Sequence, residues 1–318
     1  MKIDAIRQAN AAFAAEHNTE LVAVFAGGTG GIGSSTLEKL AAVVESATFY
    51  IAGRSTVRFA PQRAALEKIN PNVKIVFFEC DISLLADVDA FAKLVRENET
   101  KVDYLYMSPG VLPLVGGAQY TKEGLERSFA LSYYSRLRLT YNLLPLLQTA
   151  PHPRVLSVLN GGREAPLVED DLGMEKNWTA LGAMGQVTTL NTLAFDHLAS
   201  QNHKIAFIHA FPGFVKTEIG ANMKAAPDAG ILGQIYASVV KGVVSIMMFF
   251  LGITPEESGE RMAYHLTSST FAPGVSLLNE HSEVVPGPSI LAKYRADGWP
   301  DRVWEFTQGV FDKVAQRG

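Results

Sequence analysis

Near the N-terminus, Ala26-Gly27-Gly28-Thr29-Gly30-Gly31-Ile32-Gly33 follows an apolar run and leads directly into a segment of helical spacing. Glycines in that arrangement allow a tight turn and let the backbone approach a pyrophosphate. The helix that opens there offers unpaired N–H groups and a positive dipole end to the anion. Gly27, Thr29, Gly30, Gly31, Ile32 and Gly33 are therefore expected to cradle a dinucleotide, with a merely structural turn as the competing reading. Gly53-Arg54-Ser55 lies twenty-one residues after Gly33 and has no acid beside it. An acid there would hold a ribose 2′-hydroxyl, whereas an arginine pairs with a 2′-phosphate. Arg54 and Ser55 thus favour NADP(H) over NAD(H), against the plainer reading of Arg54 as a solvated loop charge. Asp81-Ile82 stand where an adenine could be reached, although Asp81 could equally cap a helix beginning near Leu84.

Several side chains further along could handle protons or orient a substrate. Arg136 lies four residues after Ser132 on an expected helix and shares a face with it; the alternative is a surface arginine such as Arg138. Asp170 and Asp171 fall on a loop after the fifth strand. Paired carboxylates in a partly dry cleft raise one pKa, giving a proton donor or an anion facing a cationic substrate, against a solvated turn or helix cap. Glu164 and Glu169 are weaker alternates. Asn160 could hydrogen-bond a substrate, and Tyr133 or Tyr134 could supply a phenol. His209, inside an apolar strand, reads as a core histidine, and Trp178 as an aromatic wall or as core.

These residues need a scaffold, and the chain alternates apolar runs of strand length with longer helical patterns. Strands are expected at 21–26, 48–53, 74–80, 103–108, 154–159 and 204–211, with an edge strand at 275–279. Helices are expected at 35–46, 84–98, 122–149, 181–201 and 300–316. Continuous apolar strands, without alternation, indicate a parallel sheet covered on both faces. The expectation is a doubly wound, Rossmann-type α/β fold, with residues 1–318 forming one domain. The net charge of −4 over 318 residues, without basic runs, argues against a nucleic-acid partner. A single cysteine, Cys80, excludes a disulfide framework and a cysteine zinc site, and no metal site is expected. The first twenty residues carry charge throughout and lack an apolar signal core, so a cytoplasmic location is expected.

Over roughly residues 20–280 the sequence resembles the short-chain dehydrogenase/reductase superfamily. Its TGxxxGxG motif is matched from Ala26 to Gly33, with alanine in place of the threonine. Its NNAG stretch appears as Met107-Ser108-Pro109-Gly110, which implies cofactor contacts at Ser108 and Gly110. Its PGxVxT turn is intact from Pro212 through Gly213 and Val215 to Thr217. In the family that turn contacts the nicotinamide carboxamide. The family transfers protons with an Asn, a Ser and a YxxxK pair, where lysine and oxidised nicotinamide lower the tyrosine pKa. Here the Asn position falls on Ser132, the Ser position on Asn160, and the Tyr and Lys positions on Met184 and Thr188. Residues 178–200 contain no tyrosine and no lysine.

The patterns at 130–136, 169–173, 185–190 and 211–217 resemble a fungal secondary-metabolite branch of the superfamily in which YxxxK is lost. That branch includes bifunctional reductase/Diels–Alderases, and it implies assisting roles for Arg136 and Asp171. The implied activity is NADPH-dependent reduction of a hydrophobic metabolite, at an iminium or an activated C=O or C=C, with or without cyclisation. A redox-neutral cyclase or isomerase and a non-catalytic NADP(H)-binding protein are the alternatives. One apolar run, 231–253, is nearly long enough to span a bilayer, with Lys241 as its only charge. A charge near the centre of a span costs roughly 2.5–3.5 kcal/mol, and a span would put two halves of one domain on opposite sides. The run reads instead as part of a substrate lid at about 222–260, its apolar face closing over a hydrophobic substrate. Peripheral membrane contact and burial between copies in a homo-oligomer remain open for it.

Overall fold

A computed structural model describes residues 1–16, 19–111, 114–115, 117–217 and 230–317. The elements in chain order are α1 (Ile3–Ala14), β1 (Leu21–Ala26), α2 (Gly31–Val43), β2 (Ala47–Gly53), α3 (Thr56–Ile69), β3 (Val73–Glu79) and α4 (Leu85–Asn98). Then follow β4 (Tyr104–Met107), a short turn α5 (Arg127–Phe129), a π-helical turn over Ala130–Tyr134, α6 (Ser135–Thr149), β5 (Arg154–Val158), α7 (Ala180–Gln201) and β6 (Ala206–Ala210). The chain closes with α8 (Gly230–Leu251), α9 (Pro255–Thr267), β7 (Gly274–Leu278), β8 (Val284–Val285), α10 (Ser289–Ala296) and α11 (Trp299–Ala315).

The strands form one eight-stranded sheet in the order β3-β2-β1-β4-β5-β6-β7-β8. All neighbours pair in parallel except β7 with β8. The strand order reverses between β1 and β4, which is where doubly wound sheets bind ligands beyond the carboxyl ends of their strands. Helices cover both faces, so two apolar cores form. One joins Val24, Leu105 and Phe207 to α4, α6, α7 and α11; the other joins Phe25, Phe49 and Leu156 to α2, α3 and α9. This is the doubly wound fold expected from uninterrupted apolar strands.

The departures have local causes. The strand at 274–278 is not the edge, because the short β8 adds beyond it. Helix α3 is absent from the sequence reading because only Phe59 and Leu66 are buried along it, and Pro61 breaks its pattern. The expected helix at 122–149 instead begins at Arg127, with a π turn at its start. Helix α9 is announced by Thr254, whose side chain accepts from the Glu257 N–H, followed by Pro255 at the first turn. It packs on α2 so closely that a Cβ at Gly259 would lie 2.7 Å from Ser35 backbone. Residues 255–260 therefore belong to a core-facing helix, which corrects their assignment to the lid. Residues 222–229 of that lid lie outside the described residues.

Candidate active site

The glycine loop joins β1 to α2 at the strand-order reversal. A Cβ at Gly33 would fall 2.0 Å from the Gly27 carbonyl oxygen, so only glycine lets the helix start against the loop. Gly27 and Gly31 adopt positive φ of 85° and 54°, and a Cβ at Gly27 would meet the Pro109 nitrogen at 2.8 Å. Gly30 precedes α2 without a side-chain cap. Gly27, Gly30, Gly31, Ser34, Ser35 and Lys216 contribute to the lining of a cavity of about 800 Å³. A glycine cradle, an uncapped helix start and a nearby ammonium fit the pyrophosphate of a dinucleotide. Thr29 sits beside β2, its methyl 2.7 Å from where a Gly53 Cβ would lie.

At the end of β2, Arg54 is exposed, whereas the Ser55 side chain caps α3 by accepting from the Arg58 N–H at 3.3 Å. Asp81 accepts from the Ser83 N–H and hydroxyl at 3.0 and 2.8 Å, so it shapes the turn before α4; Ile82 is half-buried against the core. Ser55 and Asp81 thus have local structural work that a cofactor contact would have to share.

A second cavity of about 380 Å³ lies deeper, and Ile32, Ser108 and Thr217 line both. That shared wall is where the reactive end of a dinucleotide would pass from one to the other. Gly110, Pro212, Gly213 and Val215 also line the inner cavity, together with Ser132, Arg136, Asn160 and Met184. Most of the remaining wall is apolar, from Val111 and Leu114 to Phe214 and Met248. The positions matching the family's Asn, Ser and Tyr therefore converge on one space as Ser132, Asn160 and Met184. Thr188, at the lysine position, accepts from the Asn160 side-chain amide at 3.4 Å and donates to the Met184 carbonyl at 2.7 Å.

Arg136 is almost completely buried. Its guanidinium donates to Ser157 Oγ at 2.7 Å, to the Val158 carbonyl at 3.0 Å, to the Leu131 carbonyl at 3.3 Å and to the Pro109 carbonyl. These bonds clamp the helix that carries it to the loop after β4 and to the end of β5, so it is not the surface arginine of the alternative reading. Burial lowers its pKa to about 9, so at neutral pH the charged form still prevails by about a hundredfold. Ser157 passes the network to Asn191 Oδ1, and Asn191 donates to the Ser132 carbonyl at 2.7 Å.

Behind Asn160 lies a buried relay. The Asn160 backbone N–H donates to His209 Nε2 at 3.3 Å, which leaves the proton on Nδ1 to donate to Thr192 Oγ1 at 2.8 Å. Thr192 donates in turn to Glu164 Oε1 at 2.7 Å. Burial first, and the Arg136 charge second, push the His209 pKa down to about 3, so it is neutral and structural as expected. Burial raises the pKa of Glu164, despite its hydrogen bonds to Thr192 and the Gly162 N–H.

Other candidates fall elsewhere. Asp171 is buried away from the cavity, where Oδ1 accepts from the Glu175 N–H and Oδ2 from those of Lys176 and Asn177 at 2.8–3.1 Å. Burial alone would raise its pKa, but those three donors outweigh burial and hold the carboxyl below its ordinary value. It is a loop-capping carboxylate, in line with the turn-or-cap alternative and not with a proton donor of raised pKa. Asp170 and Glu169 are exposed and do not line the cavity. Tyr133 and Tyr134 are core: the first bonds the Thr307 hydroxyl, and burial raises the pKa of both, so neither replaces the missing phenol. Trp178 packs on the core as the alternative reading had it. Lys216, Ser34 and Ser35 were not anticipated. Lys216 is the one cation in the 211–217 run, a signal available in the sequence.

The fold and the paired cavities are those of a doubly wound α/β protein with a cradle that fits a dinucleotide. A family model described as short chain dehydrogenase matches residues 21–162. The oxidoreductase lepF of Aspergillus flavus is 37% identical, covering 93% of this chain and 92% of its own. The oxidoreductase AN1596 of Emericella nidulans is 34% identical with both chains covered completely. The structure of NADPH-bound carbonyl reductase from chicken fatty liver superposes with a TM-score of 0.58 at 18% identity, over 84% of this chain and 99% of that one. The chain belongs to the short-chain dehydrogenase/reductase family. It is an enzyme of the oxidoreductase class, and the family's cofactor is a nicotinamide dinucleotide.

Proposed function

We propose that the protein is an NADPH-dependent reductase of a hydrophobic secondary metabolite, acting on an activated acceptor without a tyrosine–lysine proton donor. The observation that carries this reading is the inner cavity: among the described residues lining it, Arg136 alone is ionisable. The likeness to the branch lacking YxxxK supports the metabolite class. Gly27, Thr29, Gly30, Gly31, Ile32 and Gly33 would hold the pyrophosphate with Lys216, and Arg54 the 2′-phosphate. Ser108, Gly110, Pro212, Gly213, Val215 and Thr217 would seat the nicotinamide. NADPH supplies the hydride from C4 of its ring.

The electrostatics choose among acceptors. An unactivated ketone becomes an alkoxide on hydride addition and needs an acid, and the described wall holds no carboxyl, phenol or imidazole. An iminium needs no acid, but it would bring a positive charge toward the fixed charge of Arg136. A conjugated carbonyl gains from that charge: hydride adds at the β-carbon, the alkene electrons move to the carbonyl oxygen, and the enolate takes its proton from water. Arg136 stabilises the developing negative charge through its field while its donors stay on Ser157 and the backbone carbonyls. Ser132 and Asn160 orient the carbonyl. The test is NADPH oxidation with three matched cyclic acceptors: an enone, its saturated ketone and an N-methyl iminium. The enone should react fastest and the ketone negligibly. Preference for the iminium, or equal turnover of the ketone, would overturn the assignment.

A further inference from the structure

Helix α8 turns its apolar surface the wrong way for a soluble domain. Gly233, Ala237, Val240, Val244 and Met248 recur at three- and four-residue spacing and, with Lys241 at their edge, are its less exposed stripe; Ala237 is its one buried side chain among those described. Val244, Met247 and Met248 line the inner cavity. The expected lid is therefore real only along this narrow line, and most of the apolar run does not close over the cavity. Among the described side chains of α8, ten large apolar ones are exposed, including Ile231, Leu232, Ile235, Ile246 and Phe250 at 55–82%. At 100° per residue these ten sweep an arc of about 160°, flanked on one side by Gln234, Ser238, Lys241 and Ser245 within about 60°. A surface helix normally shows the opposite polarity.

We propose that this face of α8 docks the enzyme on a lipid bilayer, so that a hydrophobic substrate enters the inner cavity from the membrane. Three observations favour lipid over a second protein surface. The ten exposed side chains carry no charge and one hydrogen-bonding group, the Tyr236 hydroxyl, whereas protein interfaces make about one hydrogen bond per 100–200 Å². Acyl chains make none. The protein body covers the helix's other side, and the flank holding Lys241 lies where headgroups would be. The same helix is also the wall of the cavity, so a ligand passing between α8 and the exposed Phe214 would not cross water. The docking is peripheral. Beyond the helix, the Lys216 N–H donates to the Ile253 carbonyl and the Ile253 N–H to the Phe214 carbonyl at 3.0 and 2.9 Å, stitching its end to the cavity rim.

The surface stands apart from the reading of the reaction, and its test reads binding rather than turnover. Full-length protein with NADPH is floated with phosphatidylcholine vesicles, alongside Ile235→Glu/Ile246→Glu, whose side chains do not line the cavity. The wild type should float, and the double variant should lose vesicle binding by about tenfold or more, with NADPH affinity unchanged. An Ile246→Trp reporter should shift its emission to the blue on vesicle addition and be quenched by brominated lipid. A wild type that stays in solution, or a double variant that still floats, would overturn the proposal. So would a vesicle-indifferent dimer that the double variant dissociates, which would assign the face to a second copy of this chain.

Discussion

Arg54 stands exposed at the end of β2 and makes no hydrogen bond or ion pair among the described residues. A guanidinium left uncommitted one residue beyond the Gly53–Thr29 contact suits a 2′-phosphate, and a charge-assisted bidentate contact is worth on the order of 1.5–3 kcal/mol. Arg54→Ala should therefore weaken NADPH by about tenfold or more and leave NADH nearly unchanged in a fluorescence titration. Equal losses for both would remove Arg54 from the cofactor assignment. Arg136 and Asp171 show what residue types conceal. Arg136 was identifiable as a site residue from its spacing to Ser132, but of the carbonyls that consume its donors only Leu131 is on its own helical segment, and Pro109 and Val158 come from two others. Asp171 sits in a matching motif, yet its partners are N–H groups four to six residues onward. A motif cannot reveal such a local capping role until the loop has a shape. Asn160 kept its expected place because a strand end fixes it directly.

At the scale of elements, the β1–α2 loop was legible because its glycines answer a backbone requirement that does not depend on distant partners. That requirement separates two neighbouring positions. Gly30 has extended φ and nothing within 4 Å of a would-be Cβ, whereas Gly33 faces a backbone oxygen at 2.0 Å. Gly33→Ala should destabilise the fold by about 2–4 kcal/mol although alanine ordinarily favours a helix, and Gly30→Ala should stay within about 0.5 kcal/mol. Chemical denaturation checks both, and equal stability of the two variants would contradict the packing described. Other elements were less readable. The π turn over Ala130–Tyr134 leaves no sequence signal, and it changes the register between Ser132 and Arg136. Helix α8 was correctly read as apolar and adjacent to the cavity. Its direction was not, because composition gives no sign of which side of a helix meets the protein.

For the whole molecule, strand apolarity and connection lengths were enough to anticipate the parallel sheet, while the reversal between β1 and β4 emerges only once the strands are ordered. That reversal brings residues 27–35, 108–110, 132–136, 160 and 211–217 to one end of the sheet. The outcome is a glycine-rich cradle joined to a largely apolar chamber whose described wall has one fixed positive charge and no proton donor of the family's kind. The proposed reaction sends hydride from NADPH to substrate carbon in that chamber. The direct measurement is a turnover with NADPH carrying deuterium stereospecifically at C4 and a cyclic enone as acceptor. The account predicts one deuterium at the β-carbon of the product, from one face of the nicotinamide only, with the second hydrogen exchanging from solvent. Product that forms without deuterium from both the 4R- and the 4S-labelled cofactor would contradict it and make the enzyme a redox-neutral catalyst.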